Sequence, residues 1–508
     1  MDRRRFFKHS AAMAATASLG TIIAQPVRAS RGKRPNLPMP ELLDVTGSGR
    51  LTLNARSGQT AFAGGPSSST LGYNQDYLGP FVRARSGQEV AVRLQNDLDE
   101  SLATHWHGLL VPGEVDGGPH QEIAPGKVWE PILPIDQPAS TAWFHAHTFP
   151  HTARQVYRGL AGVFQIDDGH DPDRGLPQEH GVDDLTLVIQ DRRLDEAGRL
   201  DYRLSMFDRM HGFQGDRLFV NGAEQPRGPV PNAVVRLRLL NGSNARIFHL
   251  RFEDGRPMHV IASDAGFWPK PVPTEELRLS PGERFEVLVD FRDGREVALM
   301  TGPDQNRGGP GMMGVVSNIR SFASGLVEGD QRVLSFHPDG RKGRVDRIPE
   351  ATGEASWSQP TNFDKRRHFR LDMMLGGMPM MRGMMGGGAS EDMPGGGGPS
   401  MGINGRPFDM QHINEAVALG SVEHWTIESD MLMHPFHIHG VHFQVLADET
   451  GQTPRLENRG PKDTVLVDGR AEIAVRFTQP ASKDSPFMYH CHILEHEDAG
   501  MMGHFTVS

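Results

Sequence analysis

Cysteine is almost absent from the sequence, and Cys491 is the single one among 508 residues. One thiol cannot form an internal disulfide, so no such bridge stabilises this chain. Basic residues are also in the minority, with 53 Lys and Arg against 63 Asp and Glu, and a nucleic-acid partner is therefore not expected. No stretch shows a helical repeat of apolar residues over several turns, which argues against a mainly helical fold.

The first 30 residues have the features of an export signal. A basic start precedes a mildly apolar run at residues 11–24, which is too short to cross a membrane. The pair Arg4 and Arg5, followed by Phe6 and Lys8, resembles a twin-arginine signal and implies export to a bacterial periplasm. The alternative is a basic amphipathic tail. Without this segment the formal charge is −14, which suits cationic partners.

What the sequence does contain is abundant glycine (59) and proline (37), together with many short stretches of strand character. Residues 89–95 alternate between apolar and polar side chains, and residues 163–167 do the same. We therefore predict an all-β protein with three sandwich or barrel domains. The predicted signal spans residues 1–30, and the three predicted domains span residues 41–170, 180–340 and 365–508.

The surroundings of Cys491 predict a metal site. His490 and His492 flank the cysteine, His496 follows five residues later and Met501 ten residues later. Two histidines, one cysteine and a weak axial methionine are the ligands of a blue-copper site. On an extended strand the cysteine faces one way and its two neighbours face the other. We therefore expect this segment to connect two metal sites.

Four His-x-His pairs occur in the chain, whereas chance predicts about one. A single pair of this kind is often two solvated imidazoles on a surface strand. The four pairs are His105/His107, His145/His147, His437/His439 and His490/His492.

The candidate metal ligands divide between two sites. His434 precedes the third pair and completes one copper site with Cys491, His496 and Met501. The eight paired imidazoles are too many for one ion and suit a cluster of three. Half of them come from the first domain and half from the third, so the cluster must lie where those domains meet.

In this order and spacing, the motifs resemble the multicopper oxidase family, whose members have three consecutive cupredoxin-like Greek-key domains. The resemblance implies four copper ions: one type 1, one type 2 and two type 3. The type 1 ligands implied are His434, Cys491, His496 and Met501, with Met502 as a competitor of Met501. The type 2 ligands implied are His105 and His437. The type 3 ligands implied are His107, His145, His147, His439, His490 and His492.

The family resemblance also implies chemistry: four one-electron oxidations at the type 1 copper, coupled to reduction of O₂ to two waters at the cluster. Asp116 and Glu497 match the family's acidic residues for supplying protons to that reaction. The alternative is that both are ordinary supporting or surface acids.

Residues 373–410 hold ten of the 24 methionines among runs of glycine, and thioethers favour Cu(I). This segment resembles the Met-rich insert of the bacterial copper-efflux oxidases, where Met373, Met374, Asp430 and Met431 match the substrate-copper contacts. Leu432 stands where those oxidases have methionine. The alternative is a linker that is merely rich in methionine.

Three functions compete. The preferred hypothesis is a periplasmic oxidase of Cu(I) that serves copper detoxification. The second is a laccase-like oxidase of phenols or aromatic amines, and the third is a non-enzymatic periplasmic scaffold or copper store. A two-domain nitrite reductase is disfavoured by length. The expected partners are O₂ and either Cu(I) or a small aromatic reductant. We expect no nucleic acid, no membrane span and a monomer.

Overall fold

A computed structural model describes residues 34–304, 329–353, 360–373 and 401–508. The predicted signal at 1–30 and residues 374–400 of the Met-rich segment, with Met374, lie outside the described residues. Strands dominate what is described, and they assemble into six sheets that follow one another in pairs along the chain.

The first pair of sheets uses residues 42–167. One sheet has the strand order Leu42–Asp44, Phe81–Arg85, Ala161–Asp167, Ser140–Ala146 and Thr104–His105. The other runs Ser67–Tyr73, Arg50–Ala61, Gln88–Asn96 and Val128–Trp129, with Ile132–Ile135 also pairing to the third of these. Along Gln88–Asn96 the apolar side chains Val90, Val92 and Leu94 alternate with exposed polar ones, so one face of the strand enters the first core.

The second pair of sheets spans residues 184–338. Its larger sheet has the order Ala223–Glu224, Arg217–Val220, Asp184–Arg192, Val234–Asn241, Arg284–Asp290, Met258–Ser263 and Gly266–Thr274. The smaller has Arg227–Val230, Gln331–Pro338, Val297–Thr301, Phe248–Phe252 and Glu276–Leu279. Every residue of Asp184–Arg192 and of Val234–Asn241 is buried, because neighbouring structure covers both faces.

The third pair of sheets closes the chain. One sheet has the order Gly402–Ile403, Lys365–Asp372, Val422–Ser429, Arg470–Arg476 and His442–Ala447. The other has Glu415–Val417, Met502–Val507, Phe487–Cys491, His434–Ile438 and Thr464–Val467. The second of these sheets carries most of the third-domain motif residues.

Helices are short in the part of the chain that the structure describes. The α-helices are Thr152–Arg158, Met206–His211 and Leu494–Asp498, and the 3₁₀ turns are Gly113–Val115, Pro119–Gln121 and Leu456–Asn458. None of the described helices has the length and apolar character needed to cross a membrane.

The all-β prediction is confirmed, and both alternating segments of the first domain are strands. Three separate hydrophobic cores correspond to the three pairs of sheets. The predicted domain boundaries stay a prediction, because residues 35–508 form one compact unit.

Candidate metal centres

Two neighbouring strands position the histidines of the first sheet pair. His105 ends Thr104–His105 and pairs directly with His145 near the end of Ser140–Ala146. The residue between the first two histidines, Trp106, is buried in the first core. The imidazoles of His105 and His107 on either side of it belong instead to the groups of candidate metal ligands.

Adjacent strands of the last sheet present the other motifs. His434–Ile438 pairs with Phe487–Cys491, so that Phe436 lies opposite Cys491 and His437 opposite His490. Both strands are fully buried. The antiparallel register therefore brings two motifs together that are more than fifty residues apart.

Three side chains form the first cluster, which we call the thiol cluster: His434, Cys491 and His496. The Cys491 Sγ lies 3.3 Å from His434 Nδ1 and 3.7 Å from His496 Nδ1, and the two nitrogens are 3.4 Å apart. On its far side, His496 donates its Nε2–H to the Met210 carbonyl at 3.1 Å. Its Nδ1 lone pair is therefore aimed at the thiol, as in a metal ligand.

Eight imidazoles form a second region, which we call the imidazole cluster. Its nitrogens converge in three groups, of which the first two share His107: His105/His107/His437, His107/His145/His492 and His147/His439/His490. Cys491 therefore belongs to one cluster while both of its neighbours belong to the other. Representative Nε2–Nε2 distances are 3.3 Å for His105 to His437, 3.4 Å for His147 to His490 and 3.2 Å for His439 to His490.

Oxygen acceptors behind the imidazoles determine which nitrogen carries the proton. The Nδ1–H groups of five of these histidines face such oxygens: His105 to Asp116 O, His145 to Ala146 O, His437 to Asp463 O, His439 to Asp116 Oδ2 and His490 to Cys491 O, all at 2.7–3.1 Å. Their Nε2 lone pairs are consequently free for the cluster. This is the supporting arrangement found around metal-bound histidines.

Burial and mutual proximity keep these rings neutral. Burial, followed by the neighbouring imidazoles, lowers the pKa of His107, His145, His147, His437 and His439 well below the ordinary value. Neutral imidazole is the form that binds metals. Burial likewise raises the pKa of the Cys491 thiol, so without a cation the group stays protonated.

Several buried nitrogens have no hydrogen-bond partner among the described residues, and they test whether a metal fits. His107 Nδ1, His145 Nε2 and both nitrogens of His492 are of this kind. Leaving a buried polar atom unsatisfied costs about 1–3 kcal/mol, so four within one cluster need an explanation. The donor set fits copper, which accepts imidazole nitrogen and thiolate sulfur.

Two carboxylates lie against the imidazole cluster, and both were candidates for proton supply. Asp116 Oδ2 accepts from His439 Nδ1 at 2.7 Å, while its Oδ1 has no partner among the described residues. Glu497 Oε2 lies 3.2 Å from His490 Nδ1 and its Oε1 lies 3.6 Å from His147 Nδ1. Burial raises the pKa of Glu497 well above the ordinary value.

A buried charged pair behind His107 has no signature in the local sequence. Asp463 Oδ1 lies 3.1 Å from His107 Nε2, and the same carboxylate forms a two-pronged ion pair with Arg284 at 2.7 and 2.6 Å. Arg284 comes from the second sheet pair and also donates to the Thr141 carbonyl of the first. Asp463 follows Lys462 before a buried strand, a local pattern that does not distinguish it from a turn residue.

The methionine candidates are not all brought together. Met501 is buried in the same core as Cys491, whereas Met373 packs on the edge of that core. Asp430 is exposed and Met431 half-buried.

Multicopper oxidase family models match residues 54–171, 209–305 and 378–508. The chain belongs to the multicopper oxidase family. Membership confirms the resemblance expected from the motifs, together with the cupredoxin-like fold.

The relatives within this family carry two kinds of name. Cell division protein FtsP of Edwardsiella tarda is 37% identical, with 100% of this chain and 99% of the relative covered. The Escherichia coli protein of the same name is also 37% identical, with 96% of this chain and 95% of the relative covered. A solved structure of the laccase-like multicopper oxidase CueO from Ochrobactrum sp. is 41% identical with a TM-score of 0.81, and covers 93% of this chain and 100% of that one.

These relatives correct the functional prediction. A Cu(I) oxidase for copper detoxification was preferred and a laccase-like oxidase came second, but full-length relatives are named for cell division. The prediction was wrong because the ligand motifs specify which metal sites a chain can build. They carry no information about the cellular process that uses those sites.

Proposed function

We propose that this protein acts in bacterial cell division and does so as a copper-binding member of the multicopper oxidase family. The full-length relatives named for cell division support the first half. The thiol and imidazole clusters, whose buried unpaired nitrogens suit a metal, carry the second half. The role in cell division and the binding of copper are thus supported by different observations.

The residue assignment within this proposal follows the family motifs. His434, Cys491, His496 and Met501 would hold the type 1 copper, and His105 with His437 would hold the type 2 copper. The two type 3 ions would be held by His107, His145, His147, His439, His490 and His492. Copper bound at these positions supplies one-electron redox chemistry.

The surrounding chain would keep the ligands ready. Arg284 and Asp463 hold the His107 ring from behind, and the Met210 carbonyl holds His496. Asp116 and Glu497 would store or pass protons at the His439 and His490 edges, where their carboxylates already sit.

We also propose where the protein is located in the cell and that it is a monomer. Residues 1–30 would direct twin-arginine export to the periplasm, and the mature chain would work as a monomer, because ligands from its two ends already complete the imidazole cluster.

Cell length tests the proposed role. Deletion of the gene should lengthen the cells of the host bacterium, and a plasmid copy of the intact chain should restore normal length. A copy that lacks residues 1–30 should not restore it. Deleted cells that keep the parental length distribution under both rich and stressed growth would contradict the role in division.

A second candidate function, oxygen-dependent oxidoreductase activity, is favoured by the completeness of the ligand set. The copper-loaded protein should consume O₂ with ferrocyanide as a one-electron donor, and Cys491→Ser should abolish this consumption. Equal rates for the two proteins would exclude activity at the thiol cluster.

A further inference from the structure

We propose that His120 and His504 form an additional binding site for a divalent transition-metal cation of the Zn²⁺ class. His120 lies in the 3₁₀ turn Pro119–Gln121, and His504 lies on the last strand, Met502–Val507. Neither side chain belongs to the thiol cluster or to the imidazole cluster. The two residues are 384 positions apart and meet only through the fold.

The distance between the two rings suits a shared ion. His120 Nε2 and His504 Nε2 are 3.2 Å apart. With Zn–N bonds of about 2.05 Å, that separation corresponds to an N–Zn–N angle of about 103°, close to tetrahedral. The ring planes are inclined by 48° and their centres lie 4.8 Å apart, so the rings meet at their edges without stacking.

The surroundings of His504 prepare its nitrogen as a ligand. Its Nδ1 lies 3.2 Å from the His412 carbonyl oxygen, which can only accept, so Nδ1 carries the proton. The Nε2 lone pair therefore points at His120, in the arrangement that supports metal-bound histidines. Phe408 packs edge-on against the ring at 4.6 Å and restricts its rotation.

Charge and access both favour a cation at this position. Burial lowers the pKa of His504 to about 4 and also lowers the pKa of His120, so both rings are neutral at pH 7. The carboxylates of Asp484 and Asp409 act electrostatically on His120 and His504 respectively, and both acids are exposed. His120 is half-buried, so part of it is exposed to solvent, and two water molecules would complete a tetrahedral site.

A cation here would join two distant parts of the molecule. The segment that carries His120 also carries Asp116, which accepts from His439 in the imidazole cluster. His504 belongs to the sheet that holds Cys491. The proposed site would therefore fasten the Asp116 segment to the last strand, and its occupancy would stabilise the folded chain by mass action.

Equilibrium dialysis of the full mature protein against Zn²⁺ tests the site. The protein is first loaded with copper, and zinc and copper are then measured in the same sample. We expect one zinc per chain with no loss of copper. His120→Gln and His504→Gln should each bind zinc at least about tenfold more weakly. The control is His368→Gln, which replaces an exposed histidine that is paired with Glu428 and should bind zinc like the parent.

Two outcomes would overturn the proposal. Parental zinc binding by His120→Gln would show that the contact is an ordinary N–H···N hydrogen bond. Zinc uptake that displaces copper would place the ion in the clusters already described. Should His504→Gln fail to fold, His120→Gln alone decides, because its half-buried turn tolerates a polar replacement.

Discussion

The Arg284–Asp463 pair offers the sharpest test of how the imidazole cluster is held. Both side chains are almost completely buried, at 1% and 0% exposure. Burial disfavours the charge of Asp463, but Arg284 outweighs it and holds the pKa of that carboxyl below its ordinary value. Removing one partner of a buried ion pair leaves an uncompensated charge, which costs about 3–5 kcal/mol.

We therefore expect Asp463→Asn to lower the free energy of unfolding by about 3–5 kcal/mol. Arg284→Met should cost at least as much, because the Thr141 and Asp264 carbonyls also lose their donor. In the double variant both charges of this pair are removed, and Asp264, which lies 3.6 Å from Arg284, keeps Lys462 at 3.2 Å. Its loss should be smaller than the sum of the single losses by about 2–3 kcal/mol.

Urea unfolding of copper-free protein, followed by tryptophan fluorescence, measures this cycle. The control cycle uses Arg470→Met and Glu428→Gln, an exposed pair at 2.6 Å with 53% and 33% side-chain exposure. Its coupling should stay within about 1 kcal/mol. Strict additivity at Arg284 and Asp463, or a single variant as stable as the parent, would refute the argument.

Three further outcomes follow from the same structure. Burial opposes the ionisation of Glu286 and Asp184, yet Arg236 and Arg238 hold the pKa of both carboxyls below the ordinary value. Their stabilising contribution is complete above pH about 4 and is lost as the pH falls further, so urea midpoints should drop there, and less steeply in Glu286→Gln. Gly117→Ala should give little soluble protein, because φ is +87° and a Cβ would lie 1.8 Å from the Thr104 oxygen, as expression trials can show. Tyr202→Phe removes a 2.7 Å bond to buried Glu495 and should lower the free energy of unfolding by about 1.5 kcal/mol in urea.

Local sequence patterns were enough to predict strand segments and the side of the strand on which paired histidines lie. The alternation over residues 89–95 indicates a strand with one buried face. A His-x-His motif on extended chain places two imidazoles on one side, because the side-chain period of a strand is two. The lone cysteine between histidines predicts the separation of the two clusters for the same reason. These inferences need only neighbouring residues.

The supporting contacts could not be predicted in this way. Arg284 reaches Asp463 across 179 positions and His120 reaches His504 across 384, and neither pair has a local signature. Such contacts depend on how separate sheets pack, which the pattern of neighbouring residues does not reveal. The cellular role could not be predicted from the motifs either, because metal ligands indicate the chemistry of a site and not the cellular process that uses it.

Copper content tests the central claim most directly. The mature protein, purified from copper-supplemented cells, should contain four copper ions per chain and absorb visible light as a thiolate–copper site does. Cys491→Ser should lose that absorption and one copper while keeping the other three. A correctly folded parent protein without stoichiometric copper would contradict the assignment of both clusters as metal centres.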